Sequence, residues 1–367
     1  QLARLCRLFN RRRADSHRTR EVVALSARAG LWQCYVKRMQ VLVTGAAGYI
    51  GSHALRAVAR AGHTPLALDN LSRGHRAAVP NDVKFLELDV RETEKLTAIL
   101  SEHRIDCVMH FAALAYVGES VNEPLKYYDN NTGGTLSVLK AIEKAGTARL
   151  VFSSTCATYG EPNEVPIRET TPQSPINPYG WSKLVSEFML RDYAAKSKQF
   201  SYAALRYFNV AGSAADGSIG EDHDPETHLI PVILQAALGK REKITIFGED
   251  YATPDGTCIR DYIHVEDLVE AHVRVMEALA PGDQRIYNLG IGKGYSVKEI
   301  VDAVKKVVDR PFRVDSGPRR PGDPPALYAD ASKIERELGW RAQRTDIAET
   351  ILSAWRWMSA HPDGYDD

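Results

Sequence analysis

VLVTGAAGYIGSH, residues 41–53, is the stretch that decides the fold. Gln40–Thr44 is a short β-branched run, glycines follow it, and a helical pattern then continues to about Arg60. The glycine spacing is Gly45-x-x-Gly48-x-x-Gly51. Gly45 permits a tight turn, Gly48 lets a pyrophosphate approach the backbone, and Gly51 lets the helix pack on the strand. The helix N-terminus, here including Tyr49 and Ile50, then offers unpaired N–H groups to the anion. A glycine triplet alone is weak, because glycines mark many turns that hold no ligand. Asp69 strengthens it by ending the second strand 18 residues after Gly51. An acid there accepts hydrogen bonds from the adenosine ribose, which favours NAD over NADP. Arg73, four residues on, keeps a 2′-phosphate in contention.

Outward from this turn the chain alternates strand and helix patterns. Pro65–Leu68, Lys84–Leu88, Cys107–Phe111, Leu150–Ser153 and Tyr202–Leu205 read as strands, with helices near 92–103, 132–145 and 179–197. The alternation predicts an α/β fold, a Rossmann-type doubly wound parallel sheet with helices on both faces. After about residue 210 shorter elements follow, including Ile244–Phe247 and a helix at 265–279. We therefore expect residues 39–210 to form an NAD-binding Rossmann domain and 211–367 mainly a smaller substrate-binding domain. Ligands in such folds sit beyond the carboxyl ends of the strands.

Residues 1–38 differ from the rest. They carry nine Arg and one Lys against Asp15 and Glu21, about +8, in a chain whose net charge is zero. We read them as an extension outside the functional fold, which would begin at Met39. A transit peptide shares that composition, whereas a signal peptide needs an apolar segment that is missing here. The remainder is acidic and gives no reason to expect a nucleic-acid partner. No apolar run approaches the length of a membrane span. The five cysteines, Cys6, Cys34, Cys107, Cys156 and Cys258, include no CxxC pair. That argues against a disulfide framework or zinc knuckle and for a reducing compartment such as the cytoplasm. No metal site is assigned.

Asn177-Pro178-Tyr179-Gly180-Trp181-Ser182-Lys183 is the most informative stretch for chemistry. Asn177 suits a helix cap and Pro178 the first helical position. Tyr179 and Lys183 then share one helical face. A free tyrosine titrates near about 10 and supplies little phenolate at neutral pH. A neighbouring ammonium and a bound nicotinamide cation both stabilise the phenolate. Tyr179 is thus a candidate base for a sugar hydroxyl. YxxxK arises often by chance, as a surface Lys and a half-buried Tyr. Its position downstream of the glycine turn favours the catalytic reading. Thr155 ends the strand before it, where its hydroxyl can reach the reacting oxygen; a polar strand end satisfying its own backbone is a reasonable account of Ser154 but less so of the whole cluster from Ser154 to Gly160.

Together these features resemble the extended short-chain dehydrogenase/reductase superfamily, and within it the UDP-glucose (UDP-galactose) 4-epimerases. The resemblance rests on VLVTGAAGYIGSH (41–53), LDNLSRGH (68–75), HFAALAYVGESV (110–121), YYDNNTGGTL (127–136), VFSSTCATYGEP (151–162), PINPYGWSK (175–183), LRYFNVAG (205–212), DGTCIRDYIHVEDL (255–268), YNLGIGKGYSV (287–297) and RRPGDPPALYAD (319–330). It implies tightly held NAD, a 4-keto intermediate and a homodimer. It implies that Tyr179 removes the C4 hydroxyl proton, and that Lys183 holds the ribose and lowers the Tyr179 pKa. It adds Asn70, Ser72, Asp89, Val90, Phe111, Ala112, Ala113, Asn130 and Ser153 around the cofactor. Around the UDP-sugar it adds Val117, Phe208, Asn209, His228, Leu229, Thr245, Phe247, Arg260, Arg320, Asp323 and Leu327. Two arginines suit a diphosphate, because guanidinium matches phosphate oxygens in a planar fork. For Arg260 the plainer reading is an ion pair with a neighbour such as Asp261.

Three positions depart from the family pattern. Ala115 stands where many members carry a polar or basic residue. His228 stands where an Asn often contacts substrate. Leu327 stands at a position associated with sugar size, which leaves N-acetylated sugars open. A UDP-xylose/UDP-arabinose 4-epimerase is the nearest rival, since one missing hydroxymethyl group discriminates by only about 1–3 kcal/mol per methylene. A 4,6-dehydratase needs a carboxylate beside the reacting hydroxyl, and Thr155 is followed by Cys156-Ala157 instead. A non-catalytic NAD-binding regulator is disfavoured by the presence of both Tyr179 and Lys183.

Overall fold

The computed structural model describes residues 38–320 and 323–366. The reading of residues 1–38 as an extension therefore falls, apart from Arg38, outside the described residues. Arg38 donates from Nε to the Thr64 hydroxyl at 2.8 Å. Met39 is buried and its N–H donates to His63 Nδ1 at 3.2 Å.

Seven parallel strands form the main sheet. Gln40–Thr44 has Thr64–Asp69 and then Phe85–Glu87 on one side. On the other side come Cys107–His110, Arg149–Thr155, Ser201–Tyr207 and Gln284–Leu289. The strand order therefore reverses between Gln40–Thr44 and Cys107–His110, and a crevice opens beyond their carboxyl ends. The period of two along Gln40–Thr44 does what a doubly covered sheet requires. Val41 and Val43 enter one core with the helices Tyr49–Arg60 and Val265–Ala278. Leu42 enters the opposite core with Thr93–Glu102, Gly134–Ala145 and Pro178–Lys196.

The seventh strand, Gln284–Leu289, was not among the expected ones. Its pairing with Ser201–Tyr207 brings the chain back to the sheet long after residue 210, and the helix Val265–Ala278 packs on that sheet as well. Residue 210 marks the first departure from the sheet rather than its last contribution. A run of short elements between the two visits hid the return.

A third core lies beyond the strand ends, where Leu229–Ala237, Val297–Val308 and Ile347–Ala360 enclose Ile233, Val304, Ile351 and Trp357. The parallel pair Lys243–Phe247 and Arg313–Gly317 closes it. Asp261 helps fasten this region to the sheet side. Its buried carboxylate accepts N–H bonds from Ile291, Gly292 and Ala329 at 2.9, 3.3 and 3.1 Å. Burial nevertheless raises its pKa to about 6.

The helix Pro178–Lys196 begins as its sequence dictates. Asn177 is extended at φ −146°, its side-chain oxygen accepts the Gly180 N–H at 2.8 Å, and Pro178 opens the first turn. Removing an N-cap costs about 1 kcal/mol. Asn177→Ala should lower unfolding free energy by about that amount, read from the urea midpoint, while Asn177→Asp should retain most of it.

Candidate active site

The glycine turn closes the crevice at the strand reversal. Gly45 has φ +70°, and a Cβ there would lie 2.6 Å from the Ala112 nitrogen. A Cβ on Gly51 would lie 2.0 Å from the Gly45 carbonyl oxygen. Internal packing therefore demands both glycines. Gly48 is different: its φ is −80°, and the nearest atom to an added Cβ is the Gly45 oxygen at 3.4 Å. Any L-residue fits that backbone, so the protein itself does not require glycine there. A ligand pressed against the backbone does, which fits a pyrophosphate. Tyr49 fixes the turn from outside, its hydroxyl donating to the Gly212 carbonyl at 2.6 Å.

Asp69 stands beside the turn. One carboxylate oxygen accepts the Ala47 N–H at 3.0 Å and the other the Leu71 N–H at 2.8 Å. Burial raises its pKa, partly offset by these bonds. Each oxygen keeps a second lone pair for a ribose hydroxyl. Asn70 donates to Asp89 at 3.0 Å and accepts from Ser72 at 2.7 Å. Arg73 no longer argues for NADP. Its guanidinium donates to the Asp224 carbonyl at 2.6 Å and to Glu119 at 3.1 Å, over the Tyr116 ring.

Across the crevice, Thr155, Tyr179 and Lys183 come together. The Thr155 hydroxyl accepts the Ala157 N–H at 3.1 Å, as a strand end satisfying its own backbone would. It also lies close enough to the Tyr179 phenol to pull its pKa down, as the reactive reading requires. Lys183 is 3% exposed. Its ammonium donates to the Ser153 carbonyl at 2.8 Å and lies 5.0 Å over the Phe152 ring. Burial depresses its pKa to about 7, against a smaller upward pull from Glu187. Burial raises Tyr179 to about 12, only partly opposed by Thr155. Lys183 is not among the groups that act on the Tyr179 pKa, which burial dominates. Dehydration of both groups dominates, and the ammonium is directed at a carbonyl.

Behind them lies a buried network that sequence reading missed. Glu187 accepts from Arg206 at 2.6 Å and from the Ser154 hydroxyl at 2.5 Å. Arg206 also donates to the Tyr159 hydroxyl at 2.9 Å, which donates to Asn288 at 2.7 Å. Tyr207, missed as well, hydrogen-bonds the Ser153 hydroxyl. Its place at the carboxyl end of its strand was the available signal.

One cleft of about 1360 Å³ joins these parts. It exceeds the ordinary ~300–1,000 Å³ of a single-ligand pocket and suits two ligands end to end. Every residue named above for cofactor or substrate borders it, from Gly45, Ile50, Val90, Phe111, Ala112, Ala113 and Asn130 to Val117, Phe208, Asn209, Leu229, Thr245 and Leu327. Arg260 pairs with Asp323 rather than Asp261. The Arg320 guanidinium stacks 4.1 Å from the Phe247 centroid. His228 borders the cleft, but its Nδ1 is already engaged with Glu226 at 2.8 Å and lies 3.1 Å from Glu221. Those carboxylates outweigh burial and hold His228 and His223 well above the usual imidazole range, to about 10 and about 9.

A parallel doubly wound sheet with a phosphate-binding glycine turn and a Tyr-x-x-x-Lys pair defines a dinucleotide-dependent protein of the short-chain dehydrogenase type. Residues 41–290 match the NAD dependent epimerase/dehydratase family, and the chain belongs to it. NAD is its cofactor. The chain is 49% identical to a UDP-glucose 4-epimerase of Lactobacillus helveticus, covering 90% of this chain and all of that one. It is 46% identical to a probable UDP-arabinose 4-epimerase of Arabidopsis thaliana, covering 89% of this chain and 82% of that one. A solved UDP-glucose 4-epimerase from Stenotrophomonas maltophila, with bound NAD and formylated UDP-arabinopyranose, superposes with a TM-score of 0.86 at 40% identity, over 89% of this chain and 99% of that one.

Two pairs of measurements test this geometry. Gly48→Ala should keep the melting temperature of the NAD-free protein but lower NAD retention at least tenfold, whereas Gly51→Ala should lower both. Lys183→Met should stabilise the NAD-free protein relative to wild type most at or below pH 7. A folded-state pKa of about 7 against about 10.5 unfolded means that the burial penalty is full below pH 7 and fades towards pH 10.5. A thermal-melt series from pH 6 to about 9.5 should show the gap narrowing; a constant gap would place the lysine charge outside the buried site.

Proposed function

We propose that the chain is a UDP-glucose 4-epimerase interconverting UDP-galactose and UDP-glucose. The observation that carries this is the Thr155–Tyr179–Lys183 cluster facing a glycine turn across one cleft long enough for a dinucleotide and a nucleotide sugar. The name borne by the Lactobacillus helveticus relative supports the choice of sugar.

The glycine turn, Asp69 and Lys183 would hold NAD, which would supply a reversible hydride acceptor for the sugar C4. The chain's own residues manage the proton. Tyr179, whose phenol burial keeps neutral, becomes a base as positive charge gathers around it. It takes the C4 hydroxyl proton and returns it. Thr155 donates to the phenolate as it forms and orients the sugar oxygen. The Tyr207–Ser153 contact and the Lys183 bond to the Ser153 carbonyl fix the strand end against which both groups are set. Arg260 and Arg320 face the diphosphate, with Asp323 orienting the first. Elimination of water is disfavoured because Thr155 is followed by Cys156-Ala157, where a dehydratase would need a carboxylate beside the reacting hydroxyl.

The second reading, UDP-xylose/UDP-arabinose epimerisation, draws on the Arabidopsis thaliana relative. The half-buried Leu327 borders the cleft without any polar group to select for or against a C5 hydroxymethyl. A homodimer is supported by exposed Val121, Leu125, Leu136, Trp181 and Phe188 on neighbouring helices. A reducing, cytoplasmic setting is supported by the free thiols of Cys107, Cys156 and Cys258. Among the described residues no helix is long and apolar enough to cross a membrane.

Incubation with UDP-galactose, and separately with UDP-xylose, followed by chromatography tests the assignment. Rapid formation of UDP-glucose is expected, with slower pentose turnover. Conversion of the pentose alone would move the substrate assignment, and no conversion of either by NAD-loaded protein would remove the epimerase reading. Tyr179→Phe should lower kcat by about 10³-fold while NAD content is unchanged.

A further inference from the structure

The loop leading from the strand Asn209–Ala211 to the helix Leu229–Ala237 contains Glu221, His223, Glu226 and His228, a run of E-x-H-x-x-E-x-H. The proton chemistry uses none of these side chains. One donor atom from each lies within 4.8 Å of the other three. His223 Nδ1 is 3.2 Å from Glu221 and 3.5 Å from Glu226. His228 Nδ1 is 3.1 Å from Glu221 and 2.8 Å from Glu226. A tetrahedral ion with bonds of about 2.0–2.1 Å to nitrogen and oxygen has ligand–ligand edges of about 3.3–3.4 Å. The four histidine–carboxylate separations straddle that length, while the full set spans up to 4.8 Å.

Two further observations point to an ion. His223 Nδ1 is a buried atom that makes no hydrogen bond, although a carboxylate oxygen lies at contact distance. The Glu221 and Glu226 side chains are only 6% and 2% exposed. Two dehydrated carboxylates side by side need a cation. Beyond His223 and His228 themselves, the flanking arginines and tyrosines do not supply one. Arg73 is committed to Glu119 and the Asp224 carbonyl, and Arg241 donates to the Glu226 main-chain carbonyl rather than its carboxylate. Tyr49 and Tyr116 present neutral rings to His223 at 6.2 and 6.1 Å. Glu226 is also held in place by the main-chain N–H groups of Thr227 and His228, both at 2.7 Å. Such outer bonds orient metal-binding carboxylates.

We propose that Glu221, His223, Glu226 and His228 bind one divalent transition-metal ion of the zinc type. Two imidazoles and two carboxylates make a closed set of four protein ligands, which is the pattern of a structural site rather than a reactive one. The ion fixes a loop that has no regular secondary structure of its own. Through Tyr49 and Tyr116 it braces the wall where the glycine turn meets the substrate side of the cleft.

The test uses untagged full-length protein stripped with dipicolinate, mixed with zinc chloride, gel-filtered and analysed for metal. Wild type should retain one zinc per chain more than His223→Ala or Glu226→Gln. That extra ion should raise the wild-type melting temperature by about 5 °C and leave the variants unmoved. Equal zinc in wild type and folded variants, or an unshifted wild-type melt, would overturn the proposal and leave imidazolium–carboxylate pairs in its place. If the variants fail to fold, cobalt added to stripped wild type decides. Strong visible absorption of four-coordinate cobalt at one equivalent supports the site, and the faint spectrum of six-coordinate cobalt refutes it.

Discussion

The bond from the Lys183 ammonium to the Ser153 carbonyl, 2.8 Å long and almost wholly buried, is the contact on which the catalytic geometry depends. It fastens the helix Pro178–Lys196 to the end of the strand Arg149–Thr155. Tyr179, one turn earlier on that helix, is thereby set against Thr155 on that strand. The cost is electrostatic, since an ammonium withdrawn from water is held near pH 7 and a phenol beside it near pH 12. Both displacements run against the ionised forms that the chemistry uses. Burial therefore opposes both ionised forms, and positive charge supplied by the cofactor would shift the phenol towards ionisation.

The sheet supplies the other half of the arrangement. Its strand order reverses at Gln40–Thr44 and Cys107–His110, and the loops beyond these strands approach so closely that Gly45 and Ala112 leave no room for a Cβ. Gly51 is required by the same crowding. Only Gly48 is left unexplained by the protein's own packing, and that makes it the most direct structural sign of a ligand in the turn.

Much of this was legible in the sequence because it is written in local terms. A strand of period two, a glycine turn and a capped helix are each decided within about ten residues, and Asn177, Pro178, Tyr179 and Lys183 sit where their spacing placed them. What escaped was non-local. Gln284–Leu289 returns to the sheet only after a long excursion, and its short alternating pattern does not reveal its neighbour. Glu187 and Arg206 are 19 residues apart, and nothing in either position announces a buried ion pair. Pairing of Lys183 with Tyr179 was visible, but the direction of their pKa shifts was not, because burial is a property of the assembled cleft. The run from Glu221 to His228 is legible in spacing, yet it fits no familiar cysteine-based pattern.

The central claim is that Tyr179 is a dormant base whose strength is set by the charge placed in the cleft. Ultraviolet phenolate titration of NAD-loaded and NAD-free protein, with Tyr179→Phe as the subtracted reference, measures this directly. The account predicts no ionisation of Tyr179 through about pH 10 in the NAD-free protein, and a midpoint at least one pH unit lower once NAD is bound. The same Tyr179 titration with and without NAD would contradict it.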